Sequence, residues 1–521
     1  MNNLVLAFQT TRPTRASKLR DFFFRSVDHL YGALIDPTRG ERAVIATFVS
    51  YLLLWTLYAV IAKSSQDMHV DMAEQIAWSR DLAFGFYKHP PLAAIVVHFW
   101  FSIFPIADWS YYLLSVSVAT LALWIAWRLS ADYLPAEKRV AGLALLTFIP
   151  FFNFLALNFN VNTILVPLWA ATTLWFLRSF RTKSIGYAVL AGVGAAACLY
   201  AKYWSLFLLF GLAVAALMNP ERGNFFRSWA PWVTIVVCLI ILVPHSEWLI
   251  EHDFVPLTYA LATHHDKAFD VTGVLKYLVD CLLYVAFPVT LAIRLAWPLP
   301  RLSKMLRPRD SGRRLVTLSF WTTLLSPAGA AFIAGFKVVG LWSMSMWTLL
   351  PVMLLSPGWV TVTRAKARNI LALAIAVPTV SVLVSPAIAI IIHRTRSVEP
   401  HALHGQLLAK HVDAAWAVAT PTPLRFVDGD EDLAYEVAAY AHDRPHALPG
   451  MPVVKPEKVA QDGKVIVCYA DTGCARNAFS EKSSEPASRL IEITITRNYF
   501  GAHGTPQNYV ILVVPPKPLR H

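Results

Sequence analysis

Residues 43–62 read A-V-I-A-T-F-V-S-Y-L-L-L-W-T-L-Y-A-V-I-A, an apolar run without a single charge. As a helix rising about 1.5 Å per residue it spans roughly 30 Å, the thickness of the hydrocarbon core of a bilayer. A basic arm precedes it (Arg12, Arg15, Lys18, Arg20, Arg25), and the run begins too late and is too long for a cleavable signal. It is read as a retained anchor. Tyr111–Leu129, Trp232–Val243 and Ile370–Ile392 repeat the pattern. Of the 521 residues 56% are hydrophobic and 15% charged, with a mean hydropathy of +0.48, where a soluble domain carries about a quarter charged residues. This composition excludes a soluble enzyme and describes an all-α polytopic membrane domain.

The net charge of +13 sets orientation, since Lys and Arg accumulate in cytoplasmic loops; no nucleic-acid module is visible. With residues 1–42 as a cytoplasmic arm, successive crossings place the basic loops at 137–139, 178–183, 220–227 and 301–314 on the inner side. That path has about 11 spans. It becomes up to 13 if Pro91–Phe104, read as a short helix on the outer surface, also crosses. Residues 43–395 form the membrane domain, with an outer loop at 63–110. From 396 to 521 the chain turns polar: Glu431–His442 reads as an amphipathic helix, and Lys464–Tyr469, Leu490–Thr496 and Tyr509–Val514 read as strands. A small outward-facing α/β domain is expected there. Cys198, Cys238 and Cys281 lie in apolar runs as core residues, whereas Cys468 and Cys474 stand at C-x5-C spacing, suited to a short disulfide in an oxidising compartment.

The same path gathers four polar clusters on the outer side: Asp67–His89, Asn158–Asn162, Lys202-Tyr203 and Glu247–Lys267. Ionisable groups at a bilayer surface carry a cost, so their convergence marks a site. Asp71 is the leading carboxylate, at the start of a helix whose dipole favours its ionised form, and is suited to take a proton from a hydroxyl. Asp67 and Glu74 compete with it at similar spacing. The segment from Ala73 to Ala83 reads as an amphipathic interfacial helix. His89-Pro90-Pro91 fixes a rigid turn that holds His89 near the headgroups. Lys202, ending an apolar run before Tyr203-Trp204, either snorkels to the surface or meets a lipid-linked phosphate. His264-His265-Asp266-Lys267 lacks complementary ligand spacing, so no metal is expected, and the absence of a phosphate-binding glycine loop removes nucleotide cofactors.

Taken together, Asp71 followed by G-F-Y-K-H-P-P-L (85–92), L-Y-A-K-Y-W-S (199–205) and P-H-S-E-W-L-I-E-H-D-F (244–254) resemble the signatures of bacterial glycosyltransferase family 39, which has the GT-C membrane fold. The family includes the lipid A aminoarabinose transferase and is related to protein O-mannosyltransferases. The resemblance implies a polyprenyl-phosphate-linked sugar donor, a lipid or glycan acceptor, and inverting transfer at the outer face of the cytoplasmic membrane. On it, Asp71 becomes the general base, Lys202, His89 and Tyr203 the donor-phosphate side, and Asp67, Glu74, Asn160, Asn162, Glu247, His264 and His265 substrate contacts. Two departures stand out. Phe159–Thr163 reads F-N-V-N-T where many members carry a second acid, and Trp248-Leu249 replaces Trp-Asn. F-N-x-N chains of this kind lean toward lipopolysaccharide-modifying enzymes, including those that add uronic acids. The alternative, a flippase of lipid-linked glycan, calls for broken helices or inverted repeats and for charges deep within spans that are here almost free of them.

Overall fold

The computed structural model describes residues 15–264, 271–295, 308–395, 398–450 and 454–517. Its first part is helical: α1 Arg15–Ile35, α2 Gly40–Ala62, α3 Val70–Trp78, α4 Leu92–Phe101, α5 Asp108–Ser130, α6 Ala136–Leu146, α7 Leu165–Thr182, α8 Ile185–Ala201, α9 Leu206–Leu217, α10 Arg222–Phe226, α11 Ala230–Glu251, α12 Val255–His264, α13 Val271–Leu295, α14 Ser311–Ala334, α15 Leu350–Leu355 and α16 Arg364–Thr395. Among the described residues, α2, α5, α11, α13, α14 and α16 are each long and apolar enough to cross a membrane. Other crossings expected from hydropathy fall on shorter apolar helices such as α8, α9 and the Gly340–Leu355 stretch. Leu53, Leu239, Ile240, Leu282, Leu283 and Leu383 are exposed on this part, where lipid tails take the place of water.

One expected helix is broken. Instead of running from Val140 to Leu157, the chain leaves α6, bends by 89° at Pro150 and continues as short 3-10 turns. Proline ends the α6 ladder because it lacks an N–H. The freed backbone groups find side-chain partners: Asn153 donates to the carbonyls of Thr147 and Ile149 and accepts from Phe154 N, and Tyr51 donates to the Phe152 carbonyl. The break delivers residues 158–162 as an irregular loop. A second break follows α8, where Lys202 is extended before a single 3-10 turn at Tyr203–Ser205.

The C-terminal part contains α17 His401–Ala419, α18 Glu431–Tyr440, α19 Pro456–Asp462 and α20 Gly473–Ser484, with a five-stranded sheet in the order β2-β1-β3-β7-β4. Its strands are β1 Phe426–Gly429, β2 His446–Ala447, β3 Lys464–Tyr469, β4 Arg489–Ile495 and β7 Gln507–Val514; β5 Asn498–Tyr499 and β6 Ala502–His503 make a separate hairpin. Strand β1 is parallel to β2 and β3, and β7 is antiparallel to β3 and β4. Alternate residues of the central strands serve two cores. Val465, Val467, Ile511 and Val513 join the main core through α17 and α18, whereas Ile466, Cys468, Val510 and Leu512 pack with Ala475 and Ala478 of α20. Cys468 and Cys474 are joined as a disulfide beside this second core.

The expectation for α3 is corrected. From Met72 to Trp78 every residue is buried, because α18 covers the face that would otherwise meet the membrane surface or water. The helix is an interior element between the membrane part and the C-terminal domain.

Candidate active site

Residues 158–162 alternate strictly between polar and apolar. Phe159 and Val161 are buried in the core, so Asn158, Asn160 and Asn162 turn to the opposite side. Each meets a charged side chain. Asn158 Oδ1 accepts from Lys63 Nζ at 2.9 Å, Asn160 Nδ2 donates to Asp71 Oδ2 at 2.9 Å, and Asn162 Oδ1 accepts from Lys202 Nζ at 2.8 Å. The orientation of Asn160 is set locally: its Oδ1 accepts the backbone N–H groups of Asn162 and Thr163, which leaves its amide hydrogens to face the carboxylate. The loop therefore holds a cation, an anion and a cation in sequence.

Asp71 lies in the first turn of α3, half exposed, and His69 rather than Asp71 caps the helix by accepting from Asp71 N at 3.2 Å. The His69 ring lies 3.8 Å from Asp71 Oδ2; burial lowers its pKa, with Asp71 pulling upward and Lys63 and His401 adding to the lowering. Burial also pushes Lys202 down to about 8, opposed by Asp71, and its ammonium sits 4.7 Å above the Trp342 ring. Lys63, capping the C-terminal end of α2, is pushed down to about 8 by burial alone. A half-exposed carboxylate between two amines can accept a proton while anionic groups bind beside it.

Most of the other residues expected at the site have protein partners of their own. Asp67 is fully buried, paired with Arg497 and accepting from Gln406 N, so its oxygens are used in joining the two parts of the molecule. Glu74 is also buried and bonds Lys88 at 2.8 Å; Lys88 reaches Glu431 of α18 at 2.5 Å. Burial pushes Glu74 up to about 7, and although burial opposes the Lys88 charge, Glu74 and Glu431 more than offset it and raise the Lys88 pKa. Tyr203 donates to His245 Nε2 at 2.9 Å, and the opposite ring nitrogen of that histidine donates to the Phe84 carbonyl at 2.5 Å. His245 thus ties the 63–110 segment to α11, and Tyr203 braces it from the turn after α8. His89 lies in the turn after Tyr87, its carbonyl accepting from Phe86 N and its ring 6.2 Å from that of Trp78. Glu247 is exposed on α11. The His264 side chain and all of His265 lie outside the described residues.

Gly85 explains part of the G-F-Y-K-H-P-P-L pattern. A Cβ there would stand 2.2 Å from the ring of Trp248, so the turn packs against α11 only because this position has no side chain. Lys63 and His245 were not singled out in the sequence, and Asn158 entered only as the first residue of the Asn158–Asn162 cluster. The alternation of asparagines at 158, 160 and 162 was the available signal for Lys63 and Asn158.

The comparisons with known proteins agree with this architecture. Residues 88–248 match the family model described as dolichyl-phosphate-mannose-protein mannosyltransferase. The chain is 27% identical over 301 residues to the lipopolysaccharide core galacturonosyltransferase RgtB of Rhizobium johnstonii, covering 56% of this chain and 58% of that protein. To the lipid A galacturonosyltransferase RgtD of the same organism it is 24% identical over 206 residues, covering 39% of this chain and 43% of that one. The matched part thus spans about half the length of these relatives. Among solved structures, ArnT from Cupriavidus metallidurans bound to undecaprenyl phosphate superposes with a TM-score of 0.61 at 11% identity, covering 90% of this chain and 97% of that one. Its apo form gives 0.59 at 12% identity with the same coverage. These likenesses bear out the resemblance to glycosyltransferase family 39 and the GT-C fold with its appended α/β domain.

Proposed function

We propose that the chain is a membrane glycosyltransferase that moves a sugar from a polyprenyl-phosphate donor to lipopolysaccharide or lipid A at the outer face of the cytoplasmic membrane. The galacturonosyltransferases among its relatives favour a uronic acid as that sugar. The observation that carries the reading is the Asp71 carboxylate, oriented by Asn160 and flanked by Lys202 on Asn162.

In the reaction the acceptor hydroxyl gives its proton to an Asp71 oxygen while its own oxygen forms the bond to C1. The bond between C1 and the phosphate oxygen breaks, and its electron pair leaves with the polyprenyl phosphate. Lys202 meets the charge that develops there, so the leaving group needs no proton. A single displacement inverts C1. An apolar cavity of about 320 Å³ between α7, α8, α9 and α11, lined by Ala191, Ala195, Leu212 and Leu239 among others, suits part of the polyprenyl tail.

The broken span at Pro150 is a feature a flippase would share, but residues 147–157 contain no ionisable side chain and the break ends on the loop that holds Asp71, which favours the transferase. Transfer of labelled sugar from a polyprenyl-phosphate donor to lipid A or lipopolysaccharide by membranes containing the protein tests it. No transfer with any donor and acceptor overturns the proposal.

A further inference from the structure

Lys202 accounts for one cationic end of the asparagine loop; the other end has no role in the chemistry above. Lys63 Nζ is held by Asn158 Oδ1 and lies 5.8 Å from the centre of the Tyr112 ring, and among the described residues no carboxylate lies within 4 Å of it. The arrangement resembles that of Lys202, whose amine has an asparagine oxygen and a tryptophan ring but likewise no paired acid. A partly buried ammonium with only neutral partners is a ready site for an anionic oxygen. Asn158, Asn160 and Asn162 sit on successive polar positions of one short loop, so the two amines flank the Asp71 carboxylate. His69 connects this end to the base, with Asp71 and Lys63 both among its electrostatic neighbours.

A neutral hexosyl phosphodiester brings one anionic centre to such a site, beside C1. A uronosyl phosphodiester brings two, the phosphate on C1 and the carboxylate on C5, on opposite sides of the ring oxygen. Two amines bracketing one base match the second charge pattern. We propose that Lys63, held by Asn158, binds the carboxylate of a uronic acid donor and so selects an acidic sugar over a neutral one, while Lys202 takes the phosphate. The proposal rests on the glycosyltransferase reading and goes beyond it in assigning the sugar's chemical class to a named residue. An anionic group could also come from the acceptor, as a lipid A phosphate, and the test separates the two sources.

Full-length protein in detergent is assayed with a polyprenyl-phosphate-linked uronic acid and with the matching neutral hexose, on one fixed acceptor, and then with the uronosyl donor on phosphorylated and dephosphorylated acceptors. In K63Q the ratio of kcat/KM for the uronosyl over the hexosyl donor is expected to fall about 100-fold, the scale for truncating one partner of a buried charge pair. K63R, keeping the charge, is expected to restore most of the ratio, which separates the effect from misfolding. An unchanged donor ratio in K63Q, or a loss that follows the acceptor's phosphate, overturns the assignment and leaves the glycosyltransferase reading intact. If the wild type transfers neither sugar, that reading fails, and donor binding followed by tryptophan fluorescence decides on Lys63. Weaker binding of the uronosyl but not the hexosyl donor by K63Q then supports it, and equal binding overturns it.

Discussion

Asn160 donates its side-chain amide to Asp71 Oδ2 at 2.9 Å while the N–H groups of Asn162 and Thr163 hold the other end of that amide. The carboxylate is aimed by a loop distant in sequence, and the loop fixes which atom points at it. Asp71→Asn is therefore expected to lower kcat by about 10³-fold with little change in donor affinity, as removal of a general base does. Asn160→Ala, which leaves the base but frees its orientation, is expected to cost about 10-fold. Initial rates of sugar transfer measure both; a D71N enzyme as active as the wild type removes Asp71 from the chemistry.

The Lys202 ammonium has its pKa pushed down to about 8 by burial. The charged form is the one that meets the phosphate, and it is present below that value and lost above it. Transfer is therefore expected to decline as pH rises past about 8, with K202R, charged throughout, retaining activity to higher pH. A pH profile of kcat/KM for the two proteins checks this, and superimposable alkaline limbs contradict it.

Burial pushes Glu74 up to about 7 from 4.5, which links its protonation to folding. Between those values the folded chain binds more protons than the unfolded one, so this group's contribution to stability falls as pH rises through the window. E74Q is expected to flatten that part of the Tm profile between pH 4.5 and 7. The same slope in both proteins would show that the Glu74 carboxylate is not its source.

Gly85 and Trp248 form a contact that no side chain at position 85 fits. G85A is expected to destabilise the protein by about 1–3 kcal/mol through overpacking, and W248L to relieve most of it in the double variant. Thermal unfolding of the four proteins gives the cycle; additive losses refute the contact.

The disulfide between Cys468 and Cys474 closes a short loop at the start of α20. Replacing both by Ser is expected to cost about 2 kcal/mol by the chain-entropy account. Thiol labelling from outside that finds both cysteines free would contradict the bond.

Sequence alone locates the main helices, the strand Lys464–Tyr469 to the residue, and the acidic helix whose observed bounds are Glu431–Tyr440. These are local signals of apolar length, alternation and breaker residues. It also picks out Asp71, Asn160, Asn162 and Lys202, because hydropathy places them at one membrane face. It ranks Asp71 first but leaves Asp67 and Glu74, which share its local pattern, as competitors. Their roles are decided by partners far along the chain or across a turn, Arg497 for Asp67 and Lys88 for Glu74. The break at Pro150 was hidden for a similar reason: the Asn153 side-chain bonds replace a helical ladder, and composition does not distinguish the two. Lys63 read simply as the first residue of the outer loop.

The tie between the 63–110 segment and the C-terminal domain runs through Asp67 to Arg497, Lys88 to Glu431, Arg80 to the carbonyls of Ala438 and Pro445, and Asp81 to His446. A domain attached in this way is not an interchangeable cassette. A chimera that takes its last hundred or so residues from a relative without a cation at position 497 would leave Asp67 buried without its partner. The helix carrying Asp71 begins only three residues later. The two parts of the chain are therefore bound to diverge together, and recombination between such enzymes should succeed only where both sides of the junction travel as one.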